Sequence, residues 1–248
     1  MGTFIMPKHS SDAFEFKMAL KVCYDHREEN DGWLPCGSAQ NGIDGFSLYL
    51  YKEYHEANWK EHTVPKTDNS DYTKDAQLPA YFGFIDIRGQ RNNQERRITE
   101  PGIRFLNAMN AGDSDKMHEL ILESIEHHTF GRNNAACGNS DSNCEAPGIL
   151  LIASIALNGI KRKEFYYLLS TLDNTNIDFA HALARIMACR KDGTPVPGVD
   201  TVYTDAKFIP FLKEIGFIVE SSELLLIEHR VYSKYKNRLL NVKTFKHE

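Results

Sequence analysis

Apolar residues recur at helical spacing along most of the chain. Phe14, Phe16, Leu20 and Cys23 predict a helix over about 13–24, and the aromatic and charged stretch 46–59 predicts another. Alternation of apolar and polar residues at 82–87 predicts a strand. The segment RGQRNNQ at 88–94 reads as a turn, and 95–99 as the returning strand. Thr99 suits a helix N-cap with Pro101 in the first turn, where its missing N–H costs nothing. Ile103, Phe105, Leu106 and Met109 supply that helix's apolar side. Met117, Leu120, Ile121, Leu122 and Ile125 mark a further helix over 114–127. The polar stretches 31–45 and 63–77 read as loops.

Residues 131–148 are dense in Asn, Gly, Ser and Asp, a loop composition. Helices are predicted beyond it at 148–157 and 161–172. A third has Phe179, Leu183, Ile186 and Met187 as its apolar stripe. After a loop at 191–200, Thr204 or Asp205 would cap a helix running to Glu214, with Gly216 as a C′ glycine. Segments 217–219 and 224–227 then read as a hairpin about a turn at 220–223. No repeat of fixed period is visible. Helices followed by a hairpin and a basic continuation are the parts of a winged helix. The expected fold is therefore mainly α (α+β), with tandem winged-helix-like subdomains bearing small β-hairpin wings, one over 1–146 and one over 147–248.

The 248 residues, 42% hydrophobic and 25% charged, suit a globular chain. The longest apolar stretch, 149–157, is half a membrane span, and the first residues lack the apolar core of a signal peptide. The five cysteines include no CxxC pair, so free thiols and a cytoplasmic location are expected. A net charge of -5 argues against nucleic acid as a partner until placement is considered. Acidic residues crowd 25–75. Basic residues cluster at Arg88, Arg91, Arg96 and Arg97, at Lys161, Arg162 and Lys163, and from Arg230 onward through Lys234, Lys236 and Arg238. Three basic clusters on a mildly acidic chain are compatible with a phosphate backbone.

Catalytic signatures are sparse. Asp205-Ala206-Lys207 with Asp200 upstream is the nearest match to a PD-(D/E)xK Mg²⁺ nuclease site, but the spacing is too short for two strands, and Asp205 also suits a helix cap. Cys137 and Cys144 with His127 and His128 are spaced too widely for an ordinary structural zinc site. Walker A, Rossmann and Gly-x-Ser-x-Gly patterns are absent. Asn174 and Asn176 precede the third helix, where a recognition helix would begin and where Asn can pair with adenine. A solvated turn and a capped helix explain them as well.

The stretches YFGFIDIRGQRNNQERRITEPGIRFL, from Tyr81, and PGILLIASIALNGIKRKEFYYLLSTLDNTNIDFAHALARIMACRK, from Pro147, carry a family resemblance. The chain resembles the N-terminal DNA-recognition region of type IIS restriction and nicking endonucleases of the AlwI group. The shared features are a strand, a turn and an R-I-T-E-x-G step into a helix, then an apolar helix, a glycine break, a basic helix and an Asn-rich turn. The resemblance implies double-stranded DNA as partner and a separate C-terminal nuclease domain or subunit that would carry Mg²⁺. This chain reaches Glu248 with no room for that domain. It is expected to be a recognition part without catalytic residues, cofactor or membrane contact. From the basic clusters, the expected DNA contacts are Arg91, Arg96 and Arg97 on a wing, Lys161, Arg162 and Lys163 on phosphate, Asn174 and Asn176 at bases, and Lys234, Lys236 and Arg238 on the backbone. The alternatives are a self-contained Mg²⁺-dependent endonuclease using Asp200, Asp205 and Lys207, and a winged-helix module that binds an acidic protein.

Overall fold

The computed structural model describes residues 6–7, 12–37, 39–40, 43–56, 74–89, 93–137, 140–175, 177–199, 203–204, 206–242 and 244, with backbone alone at 39–40, 43 and 55–56. The described chain is mainly helical, with two small antiparallel three-stranded sheets. It packs as two compact units, 7–120 and 121–248, the second including Met6. None of the described helices is long and apolar enough to cross a membrane.

The first unit begins with α1 (Ala13–Asp25), opened by a capping box in which Asp12 and Glu15 satisfy each other's backbone N–H groups. Phe16, Leu20 and Cys23 are buried, as the helical spacing predicted. The stretch 31–45, read as loop, contains β1 (Leu34–Pro35) and a small pair, β2 (Ala39–Gln40) with β3 (Ile43–Asp44). Then come α2 (Phe46–Glu56) and the short α3 (Gln77–Tyr81). The predicted hairpin is β4 (Ile85–Arg88) with β5 (Glu95–Ile98), and β1 joins it on the β5 edge. Thr99 caps α4 (Glu100–Ala111) through its hydroxyl, which accepts from the Gly102 N–H. Only glycine fits at 102, because a Cβ would lie 2.1 Å from the Phe84 carbonyl oxygen. Phe16, Phe84 and Phe105 form the centre of the core, with the last two stacked at 4.6 Å.

Helix α5 (Ser114–His127) leads from the first unit into the second, so the division falls inside a helix and the 131–148 loop belongs to the second unit. There α6 (Ala146–Ala156) is buried almost all round. The break at 159–160 is in part a strand, β6 (Ile160–Lys161), which runs directly into α7 (Arg162–Asn174). After α8 (Phe179–Asp192), α9 (Phe208–Glu214) starts two residues later than a cap at Asp205 would have placed it, with Lys207 in helical geometry before it. Strands β7 (Ile218–Ser221) and β8 (Leu224–Ile227) form the hairpin. Its turn is the two residues Ser222 and Glu223, both at positive φ, tighter than the four-residue turn expected. The basic continuation is a helix, α10 (His229–Leu239).

The two units repeat one plan. The sheets have the same strand order, β1-β5-β4 and β6-β8-β7, with the short strand on the outer edge of the second hairpin strand. Ahead of each hairpin, Phe82-Gly83-Phe84-Ile85 and Ile215-Gly216-Phe217-Ile218 make matching bonds. Gly83 and Gly216 take φ values of 73° and 70°. The Phe84 N–H donates to Pro79 O and the Phe217 N–H to Leu212 O. The Phe84 and Phe217 carbonyls in turn accept from Thr99 and Glu228, the caps of α4 and α10. Apart from the β2–β3 pair, the first unit runs helix, edge strand, helix, short helix, hairpin, helix. The second follows the same order with one further helix, α8, between α7 and α9. In both, the helices lead into a hairpin and a closing helix, as expected of a winged helix.

Candidate nucleic-acid interface

Ion pairing separates the cations that can meet a phosphate from those already engaged. On the first hairpin, Arg88 pairs with Glu95 at 2.6 Å and Arg97 with Asp86 at 3.2 Å, and both guanidiniums lie over Trp33, at 4.0 and 4.5 Å. Arg96, expected on the wing surface, is only 2% exposed and sits 5.3 Å from the Phe46 ring. Alternation explains this, since consecutive strand residues face opposite sides of the sheet. Arg91 lies outside the described residues.

In the second unit, Lys161 and Arg162 stand where β6 becomes α7. Lys161 pairs with Glu223 at 3.2 Å, and Arg162 with Glu220 at 3.3 Å. Glu220 also holds Lys213 at 2.5 Å, and these hydrogen bonds keep its carboxyl below the usual carboxylate range. Among the described residues, Lys163 is exposed and has no ion-pair partner. Lys161, Arg162, Lys163, Glu220 and Glu223 line an open cleft of about 720 Å³ together with the loop after α8.

Two of the cleft's lining residues, Glu164 and Arg190, form a clamp. Arg190 donates two hydrogen bonds to the Glu164 carboxylate, at 2.8 and 2.6 Å, and one each to the carbonyls of Leu157 and Gly159. Glu164 is 7% exposed at its side chain and also accepts from the Lys161 N–H. Burial pushes its carboxyl up, but the Arg190 bonds, the Lys161 N–H and both positive charges outweigh this and hold it low. The end of α8 is thereby fastened to the end of α6 and the first turn of α7.

Asn174 is the last residue of α7, and its amide donates to the Tyr203 hydroxyl at 2.6 Å and the Ser170 carbonyl at 3.1 Å. Tyr203 in turn donates to Asp173 at 2.8 Å. This network secures the helix end, and Asn176 lies outside the described residues. The N-terminus of α8 is capped by Asp178, which accepts from the His181 N–H and contacts its ring nitrogen Nδ1 at 2.8 Å.

The feature that sequence reasoning missed is the outer face of α8. Only Ala182 and Ile186 of its 14 residues are buried. Met187, expected in the apolar stripe, is 57% exposed, while Phe179 and Leu183 are half-buried. Ala180, Ala184 and Ala188 form an exposed row at four-residue spacing, flanked by His181 and Arg185. Arg185 makes no ion pair among the described residues. The visible signal was A-x-x-x-A-x-x-x-A, which reads as ordinary helix-forming composition. An alanine face lets a helix backbone approach a surface closely, and Arg185 supplies a planar donor fork.

The exposed face of α10 carries Arg230, Lys234 and Lys236. Arg238 instead grips Glu126 of α5 with two bonds, at 2.8 and 2.5 Å. The charge is uneven: residues 7–120 carry 14 Lys and Arg against 19 Asp and Glu, and residues 121–248 carry 15 against 15. The whole net charge of the chain resides in the first unit.

The arrangement has a solved counterpart. The fold is similar to that of the BpuJ1 endonuclease binding domain. That protein was crystallised in complex with DNA modified by pyrene and phenanthrene; the TM-score is 0.53 at 12% identity, over 98% of this chain and 88% of that one. No protein-family model matches the sequence, and no curated protein matches it. The likeness to the BpuJ1 domain covers residues of both units. The AlwI group is not singled out by this likeness.

Among the described residues no three His, Cys, Asp or Glu side chains are grouped to hold a metal ion. Cys137 and Cys144 are buried, and burial pushes both thiols up to about 12, which keeps them neutral. Cys137 donates weakly to the Phe130 carbonyl. Asp200 and Asp205 lie outside the described residues, and Lys207 immediately precedes α9.

Proposed function

We propose that this chain is a double-stranded DNA recognition module of a restriction-type endonuclease, of the type IIS kind its sequence resembles. Cleavage would be carried by a separate nuclease domain or subunit. The observation that carries this reading is the fold likeness to an endonuclease binding domain seen on DNA, over nearly the whole chain. The duplicated winged-helix plan and the uneven charge agree with it.

In this reading the second unit makes the principal contact. Helix α8 enters the major groove, with Arg185 and His181 at base edges and the alanine row against the groove wall. Lys163, Arg230, Lys234 and Lys236 meet phosphates, and Arg91 and Asn176 keep the roles their position in the sequence suggests. Arg96 and Arg238 serve the interior of their units.

Lys163→Ala is expected to weaken binding to all duplexes about equally, and to reduce the slope of log affinity against log salt by about 1. Titration of two unrelated duplexes between 50 and 200 mM salt checks this. Unchanged affinity and slope would remove Lys163 from the interface.

A further inference from the structure

We propose that Glu220 and Glu223 of the second hairpin act as an intramolecular phosphate mimic, masking Lys161 and Arg162 until DNA displaces them. The proposal rests on the DNA-recognition reading and adds to it a brake on affinity.

Three observations converge. First, the two carboxylates occupy the positions at Lys161 and Arg162 that phosphate oxygens would need, at 3.2 and 3.3 Å. Both belong to one hairpin, and both cations to one strand-to-helix junction, so a single element covers the pair. Secondly, the turn is built in a conformation that works against its own residues. Ser222 and Glu223 have φ of 49° and 67°, a geometry favoured by Asn-Gly. A glutamate there accepts strain, and in this position it reaches Lys161. Thirdly, described cations of the first hairpin are also paired from within their unit, Arg88 by Glu95 and Arg97 by Asp86, there directly across the hairpin's own two strands.

The pairs are of a strength that can be exchanged. Lys161 and Glu223 are 50% and 81% exposed at their side chains, and ion pairs in such settings are weak and screened by salt. Arg162 and Glu220 are less exposed, but Lys213 remains beside Glu220 if Arg162 leaves, so that carboxylate is not stranded. Duplex DNA therefore gains two phosphate contacts at the cost of two modest pairs. Salt weakens the mask and the DNA contact together, so the two effects partly offset and flatten the salt dependence of the natural protein. Low affinity for DNA in general favours a protein that must leave the many wrong sites it meets.

The test is the double variant Glu220→Gln, Glu223→Gln, titrated with a duplex selected for binding and with a scrambled duplex from 50 to 200 mM salt. Both affinities are expected to rise, by up to about eightfold per unmasked cation at 0.1 M. The salt slope is expected to steepen by up to about 0.9 per cation. Adding Lys161→Gln and Arg162→Gln to that variant is expected to cancel the gain. Asp141→Asn controls for net charge, since Asp141 is exposed in the same unit and has no ion-pair partner among the described residues. Thermal melting of each variant confirms that it is folded. A rise no greater than that of Asp141→Asn, or one that survives loss of Lys161 and Arg162, would overturn the mask. Absence of duplex binding by both the natural protein and the Gln variant would instead sink the recognition reading, and the mask with it.

Discussion

Replacing Arg190 by methionine is expected to destabilise the second unit by about 2–3 kcal/mol, less than the loss from a fully buried ion pair, because Glu164 is buried but Arg190 is partly exposed. The side chain serves three structures at once. It neutralises Glu164 and satisfies the carbonyls of Leu157 and Gly159. Methionine fills part of the space and meets none of these demands. The expected fall in melting temperature is roughly 5–10 °C. The pH dependence should also change sign. In the natural protein the Glu164 pKa is lowered, so its contribution is present above the ordinary carboxylate range and lost as pH falls through the lowered value. Without Arg190 the same carboxyl is buried beside fewer positive charges and its pKa rises. The charge then costs stability near neutrality, and the deficit relative to the natural protein should shrink toward pH 4. Adding Glu164→Gln to Arg190→Met should recover part of the loss, because no buried charge is then stranded. Melting curves at pH 4 and 7 for the three proteins decide the matter. Equal melting temperatures would mean that Arg190 does not hold Glu164 in solution.

The second large effect concerns binding rather than stability. Ala184→Glu on the outer face of α8 is expected to reduce duplex affinity by a hundredfold or more while leaving the melting temperature within about 1 °C. Glutamate is a good helix former, and position 184 is exposed, so folding has little reason to suffer. In a groove the new carboxylate would face phosphates and base edges at close range, and such like-charge juxtaposition costs several kcal/mol. Arg185→Ala should be milder and selective, at about 1–3 kcal/mol for one base position. If Ala184→Glu binds like the natural protein, α8 does not lie against DNA.

Much of the fold was legible because local signals and tertiary packing agreed. The R-I-T-E-P-G entry to α4 held both its cap and its first-turn proline, and the strand expected at 82–87 is β4 from Ile85 onward, with Phe82 to Phe84 forming the turn before it. The edge strands were not legible. Leu34–Pro35 and Ile160–Lys161 are two residues each, too short for any period, and they are strands only because β5 and β8 offer open edges to pair with. The duplication was hidden for a related reason. The matching G-F-I steps lie 133 residues apart, with hairpins of different length after them, so nothing repeats at a fixed period. Basic clusters in a sequence do not reveal which cations already have partners. Arg96 is buried by its place in the strand, Arg238 is fastened to a glutamate 112 residues away, and Lys161 and Arg162 are held by the hairpin. The reverse held for α8, whose exposed alanines carry no charge to draw notice and become a candidate surface only once the helix is seen to stand out from the unit.

The measurement that most directly tests the central claim is selection of bound sequences from a random duplex library at about 100 mM salt, where electrostatic attraction alone is already weakened. Enrichment of one short asymmetric motif by the natural protein, lost with Ala184→Glu, is the predicted result. No enrichment, together with no binding to any duplex at low salt, would contradict DNA recognition and favour a winged-helix surface that binds another protein.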